Sequence, residues 1–333
     1  MAAILSITEK RCEEILSQAL TFGASDIQIV PNHEQYEIYF KRFNERIFVQ
    51  HLIADFAERI ISYFKFQSSL DISEKRKPQS GAFHKTLYQQ IFAFRISTLP
   101  SIFMRESLMI RILPQQQATT LQQLSYFPHM AKFLQQLTQY EQGLILFTGV
   151  TGSGKTTSLY SLIQYCATDL HQNVISLEDP VEYQQSSILQ IQVNERAGVT
   201  YASGLRAILR HSPDVIMLGE VRDDQTAHVA VDAALTGHLI FTTVHAKNTV
   251  GCLYRLMAMG VRFEDLRQSI VAVVAQQLVT IEGERTAIFE VLYGEELEQA
   301  FLAIQKREAY QIPYDQSLEA QRSLVNQEHQ YDR

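Results

Sequence analysis

Residues 149–156 read GVTGSGKT and follow, after Thr148, the apolar run GLILF at 143–147. The spacing of Gly149, Gly154, Lys155 and Thr156 fits G-x-x-x-x-G-K-[ST], and the flanks fit as well, with a strand before the loop and a helix opening near Lys155. Few short stretches constrain a fold so tightly. Glycine reaches backbone angles closed to other residues, so N–H groups along Gly149, Val150, Thr151, Gly152, Ser153 and Gly154 can turn inward around phosphate oxygens. The first helical turn, with Lys155, Thr156 and Thr157, adds partial positive charge. Lys155 then reaches the outer phosphates of ATP, and the Thr156 hydroxyl is placed to ligate Mg²⁺.

A loop of this kind needs a parallel sheet around it, and the second part of the chain supplies one. The runs GLILF, NVISL, LQIQV, DVIML and HLIFTTV alternate with helical stretches from Gln142 onward. Continuous apolar strands between helices predict an α/β fold with a mostly parallel sheet covered on both faces. The first part differs. Helical spacing over 7–22 is followed by the alternating stretches ASDIQIVP and YEIYFKR, with turns near Asn32 and Asn44. A helix is expected from Leu52 to Phe66, a surface loop over KRKPQSGAF, and strands at IFAFRISTLP and SLMIRIL. This predicts a smaller α+β N-terminal domain over 1–113, a Gln/Thr-rich hinge over 114–120, and the nucleotide-binding domain over 121–333. The tail turns polar after an amphipathic start at Gly294, and its last dozen residues are expected to be loose.

Two further strands end in acids. NVISLEDPVEY delivers Glu178 and Asp179, and PDVIMLGEVRD delivers Glu220. Strand C-termini of an open parallel sheet share one edge, where ligands bind. Glu220 is therefore expected to polarise an attacking water, while Asp179 or Glu178 binds Mg²⁺ through water or orients that water. The bland alternative is a solvated strand end or, at Asp179-Pro180, a turn opening. TGHLIFTTVHAKNT carries His238 and His245 at opposite ends of one strand. Only His245 falls on the ligand edge, where it can hydrogen-bond the γ-phosphate; His238 reads as structural.

Bulk properties exclude several classes. The 333 residues carry a formal charge of −7 and no long basic run, which argues against direct nucleic-acid binding. Cys12, Cys166 and Cys252 are far apart, without a CxxC pair, so neither a disulfide framework nor a zinc site is expected and a reducing compartment fits. The start MAAILSITEKRCEEIL lacks a signal-peptide layout, and SIVAVVAQQLV is too short to span a membrane. A cytoplasmic protein is expected.

GVTGSGKTT, LEDPVEY, PDVIMLGEVRD and TGHLIFTTVHAKNT, in that order, resemble the Walker A, Asp box, Walker B and His box of the bacterial type II/type IV secretion ATPases. LRAILRHSPD, AMGV, AQQLV and, in the first part, ASDIQIVP, FRISTLPS and ESLMIRIL extend the resemblance over roughly residues 23–292. It implies a RecA-like P-loop core behind a PAS-like domain, ATP hydrolysis with Mg²⁺, and Glu220 as the Walker B acid. It also implies that Arg95 and Arg111 approach the phosphates from the N-terminal domain, with Arg105 less clearly aligned. Short length and the absence of a tetracysteine insert after AQQLV make the chain look most like the competence-type assembly ATPases of Gram-positive bacteria. Such proteins are cytoplasmic hexamers, held peripherally at the membrane by a polytopic inner-membrane platform protein, and assemble a DNA-uptake pseudopilus. Type II secretion, or pilus assembly or retraction, is the neighbouring alternative. A direct DNA-binding P-loop protein and a non-hydrolysing scaffold are readings from other classes. Gln277 stands where relatives commonly carry Arg, Gln28 replaces a usual His, Val150 a common Pro, and Ser212 a position often acidic.

Overall fold

The computed structural model describes residues 7–42, 45–102, 105–113 and 119–330, and the chain forms two compact units, 1–115 and 116–333. In the first unit, α1 (Ile7–Phe22) precedes β1 (Asp26–Pro31), β2 (Gln35–Arg42) and β3 (Glu45–Ile53); α2 (Ala54–Gln67) then leads to β4 (Gln79–Leu87), β5 (Gln90–Pro100) and β6 (Glu106–Ile112). All pairings are antiparallel, in the order β3-β2-β1-β6-β5-β4. Alternating residues such as Ile27, Ile29, Ile38, Ile96 and Ile110 face a core shared with Ile15 and Leu16 of α1 and Ile60 and Phe64 of α2.

The sequence reading missed two strands here. The helix expected from Leu52 begins at Ala54, because Glu45–Ile53 is an edge strand whose side chains are mostly exposed and so carry no burial alternation. The expected loop over 75–83 ends at Pro78; the charged run ahead of it masks β4. Gly81 marks the spot, since a Cβ there would lie 2.8 Å from the Ser68 carbonyl oxygen. The turn at Asn32 is present, with the Asn32 N–H donating to Gln35 O at 2.8 Å. The turn expected at Asn44 and residues 114–118 of the hinge lie outside the described residues.

The second unit opens with α3 (Leu121–Leu124) and α4 (Pro128–Gln136), then β7 (Gly143–Thr148), α5 (Lys155–Thr168), β8 (Val174–Glu178), β9 (Leu189–Gln192) and α6 (Tyr201–Ile208). It continues through β10 (Val215–Leu218), α7 (Asp224–Leu235), β11 (Leu239–Thr243), α8 (Thr249–Ala258) and α9 (Phe263–Ser269). The hairpin β12 (Ile270–Ile281) and β13 (Glu284–Tyr293) and the helices α10 (Gly294–Lys306) and α11 (Leu318–Gln330) close it. The sheet order is β13-β12-β7-β11-β10-β8-β9, parallel throughout except at the β12/β13 hairpin.

Period-2 alternation explains the double cover. Leu144, Leu146, Ile216, Leu218 and Ile240 face one core with α6, α7 and α8, while Ile145, Phe147, Val215, Met217 and Phe241 face another with α4 and α5. This is an α/β unit with a RecA-like core. The tail is more ordered than expected: α11 runs to Gln330, burying Ala320, Gln321 and Val325.

One buried ion pair ties the first unit together. Lys65 Nζ donates to both oxygens of Glu106, at 2.8 and 2.9 Å, and to the Glu74 carbonyl at 2.8 Å. Removing one partner leaves a buried, uncompensated charge. Lys65→Met is expected to cost about 3–5 kcal/mol, and Lys65→Met/Glu106→Leu should recover much of that loss. Thermal and urea melts of the two variants check this; equal destabilisation by both would contradict it.

Candidate active site

The site is built where β7, β10 and β11 end. Their register aligns Leu218 with Thr242 and Thr242 with Leu146, so the three segments leave the sheet at one level. Hydrogen bonds carry the alignment past the strands. The Val244 N–H donates to Phe147 O at 2.9 Å, and the Val221 N–H to Thr243 O at 2.9 Å. The Thr243 hydroxyl donates to Gly219 O at 2.8 Å, and the Thr148 hydroxyl to Ala246 O at 3.0 Å. The loops after β7, β10 and β11 are thus laced to one another.

Gly149 and Gly154 are the fixed points of the phosphate loop, with φ of 143° and 84°. A Cβ on Gly149 would lie 2.5 Å from Gln276 O, and one on Gly154 would lie 2.9 Å from Gln276 Nε2. Only glycine suits either place. α5 starts at Lys155, whose ammonium donates to Gly149 O at 2.8 Å and Val150 O at 3.0 Å. Burial depresses the Lys155 pKa, and the negative charge of Glu220 opposes that effect. The Ser153 hydroxyl is buried without a hydrogen-bond partner among the described residues.

Glu220, just past β10, is shared by two cations or donors. Oε1 pairs with Arg222 Nη2, and Oε2 lies 3.4 Å from His245 Nε2. Arg222 also reaches toward Asp179, with Nη1 3.9 Å from Oδ2. Arg222 therefore bridges the ends of β10 and β8. Sequence reasoning passed over it, although the signal was in GEVRD: residues two apart on extended backbone point the same way. Gln276, against the loop's two constrained glycines, gave no comparable signal.

Glu178 takes a different place. It is 3% exposed, and its carboxylate accepts from Ser176 Oγ at 2.5 Å, from Gln190 Nε2 at 3.1 Å and from the Tyr160 hydroxyl. Burial raises the Glu178 pKa, and those hydrogen bonds oppose the rise. Its contacts brace β8 against α5 and β9. Asp179, one residue on, is the acid that joins the Arg222 bridge. His238 lies at the other end of β11, with Nδ1 3.2 Å from Ala233 O.

Within the first unit, Arg95 and Arg111 are register partners on β5 and β6. Arg111 Nε donates to Asp26 Oδ1 at 2.8 Å, while Arg95 forms no ion pair among the described residues. Arg105 donates to the carbonyls of Asn32 and His33.

The residues fit a Mg²⁺–nucleoside triphosphate. The loop places an ammonium and an unpartnered hydroxyl around a glycine-shaped cradle, and Thr156 begins the helix behind it. Among the described residues no three His, Cys, Asp or Glu side chains gather as a metal cage. Mg²⁺ is commonly held by one or two protein oxygens together with the phosphates it accompanies.

The sequence profile of the family described as type II/IV secretion system protein matches residues 2–321. This chain belongs to that family. It is 41% identical over 309 residues to Competence protein ComGA of Bacillus subtilis (strain 168), covering 87% of this chain and 86% of that one. It is also 41% identical over 319 residues to Competence protein ComGA of Halalkalibacterium halodurans, covering 90% and 91%. Among solved structures, the pilus retraction motor PilT with bound ADP superposes with a TM-score of 0.71 at 23% identity, covering 92% of this chain and 91% of that one. That likeness concerns the fold. The chain is also 39% identical over 272 residues to the type IV pilus assembly ATPase TfpB of Acinetobacter baylyi, covering 81% of this chain and 46% of that one.

The buried acid yields a pH test. A carboxyl whose folded pKa is raised stabilises the fold fully below its unfolded value, and that contribution is lost as pH rises through the folded value. The stability of wild type relative to Glu178→Gln should therefore fall as pH rises above about 4.5 and then level off. Urea titrations at a series of pH values check this; a pH-independent difference would contradict it.

Proposed function

We propose that this chain is an ATP-hydrolysing motor that powers assembly of a competence pseudopilus for DNA uptake. The observation carrying the hydrolytic part is the convergence of Lys155, Glu220 and His245 where β7, β10 and β11 end. Bound Mg·ATP supplies a γ-phosphoryl group whose charge is already partly neutralised by the ion. The Lys155 ammonium would exchange its loop carbonyls for β- and γ-phosphate oxygens, and the Thr156 hydroxyl, with Asp179 acting through water, would hold Mg²⁺. Glu220 receives the proton of the attacking water. Each of its oxygens has a partner here, yet a carboxylate oxygen accepts more than one hydrogen bond, so room for that water remains. His245 and Arg222 keep the carboxylate aimed, and Glu178 acts through the fold by fixing the segment that carries Asp179.

Arg95 and Arg111 are proposed to neutralise transition-state charge, as the family resemblance implies. Arg111 is the exposed member of its pair; the buried Asp26 carboxylate keeps the Ser25 hydroxyl as a donor when the guanidinium turns to a phosphate, so the exchange carries a cost that the phosphate contact must offset. A hexamer docked on a polytopic platform protein at the inner face of the membrane completes the reading. Among the described residues no helix is long and apolar enough to cross a membrane; membrane association through the platform protein is what the family resemblance implies. Competence is preferred over the pilus-assembly alternative because the ComGA relatives match over 86% and 91% of their length, whereas TfpB matches over 46% of its own.

Glu220→Gln should lower ATP turnover about 100-fold, equivalent to about 2.7 kcal/mol, with ATP affinity changed less than about threefold. Turnover within a factor of about two of wild type would remove Glu220 from the chemistry. A strain carrying that variant should lose transformability, and normal DNA uptake would refute the competence role.

Arg222→Ala should lower kcat roughly tenfold with little change in KM, because positioning interactions act mainly in the transition state. Arg222→Lys should restore part of the loss. An effect on KM alone would instead make Arg222 a substrate-binding group.

A further inference from the structure

β13 forms one end of the seven-stranded sheet, and its outer edge is only partly covered. The Ala287 carbonyl accepts from the Tyr126 N–H at 2.9 Å. At Phe289 a side chain imitates a neighbouring strand: the Phe289 N–H donates to Gln321 Oε1 at 3.2 Å, and Gln321 Nε2 donates to Phe289 O at 2.6 Å. Backbone groups two residues apart along a strand point to the same edge. The N–H and C=O of Val291 are therefore directed outward as well, and neither has a partner among the described residues.

A cavity of ≈ 390 Å³ opens over that position, walled by Phe127, Phe133, Val291, Tyr293 and Leu324. The walls are braced. Phe133 packs edge-on against Tyr293 at 5.2 Å, Phe127 packs edge-on against Tyr126 at 4.9 Å, and the Tyr293 hydroxyl is bonded to that of Tyr140. Leu324 is 48% exposed. Glu296 and Asp315 also line the cavity, neither engaged in an ion pair among the described residues; His129 is the basic side chain in the lining, and no Lys or Arg joins it. No residue of the phosphate loop takes part.

We propose that this edge is a docking site for a short extended segment of a partner protein carrying an apolar side chain beside a Lys or Arg. Each element recognises one property of such a segment. The open N–H and C=O of Val291 pair with its backbone, the aromatic cavity takes the apolar side chain, and the two carboxylates take the cation and disfavour acidic sequences. Pairing at one backbone position limits the site to a few residues, so the segment is a short linear stretch rather than a domain face. The proposal does not depend on the hydrolytic reading above.

The test uses the full-length protein and the dye-labelled hexapeptide acetyl-Ser-Phe-Lys-Leu-Lys-Ser-amide, with binding followed by fluorescence polarisation. Saturable binding below about 1 mM is expected. Three changes should each weaken it by about fivefold or more: replacing both Lys of the peptide by Glu, N-methylating its Phe, or the double substitution Glu296→Lys/Asp315→Lys. Leu324→Glu, an exposed position, provides a second variant, and ATP turnover should stay within about twofold of wild type in both. The proposal is overturned by absent saturation, by equal binding of the acidic or N-methylated peptide, or by indifference to both variants. It is also overturned if Leu324→Glu shifts the sedimentation coefficient of the free protein while no peptide binds, since the face would then belong to a second copy of this chain.

Discussion

Parallel register is the constraint on which the second unit depends. β7, β10 and β11 lie side by side, and each ends in a segment that cannot continue as strand: a glycine-rich turn, Gly219-Glu220, and Val244-His245. Were any strand slipped by one residue, its apolar faces would exchange cores and its terminal side chain would leave the site. The alternation of Leu146 and Phe147, or Leu218 and Met217, between two separate cores makes that slip costly. Packing on both faces thus fixes where Lys155, Glu220 and His245 emerge.

Within that frame the polar groups divide by how firmly they are committed. Glu178 is buried under three hydrogen bonds, from Ser176, Tyr160 and Gln190. Lys155 is buried but holds carbonyl oxygens of its own loop, partners that phosphate oxygens can replace. Glu220 lies between Arg222 and the half-exposed His245, oriented yet with acceptor capacity left. The phosphoryl-transfer chemistry proposed for this site needs both kinds of group, since positioning and charge neutralisation supply most of such catalysis.

Much of this was legible in the sequence because the signals were local. The phosphate loop with its strand and helix, the apolar runs of the parallel sheet, and the acid at 220 all lie within short segments. What was lost has a physical cause in each case. β3 is an edge strand with exposed side chains, so no burial pattern announced it, and β4 begins inside a charged run. Glu178 and Asp179 were equivalent as letters; the strand's alternation sends one inward to Tyr160 and leaves the other beside Arg222. Helix α11 looked like a polar tail because Gln321, which covers a strand edge, and Val325 are among its few buried residues. Contacts made across long sequence separations leave no local trace.

A structure of the full-length protein with Mg²⁺ and a slowly hydrolysed ATP analogue tests the central claim most directly. The account predicts Lys155 Nζ within about 3 Å of β- and γ-phosphate oxygens, and a water hydrogen-bonded to Glu220 in line with the γ-phosphorus. Lys155 still bound to its loop carbonyls, or another carboxylate holding that water while Glu220 points away, would contradict it.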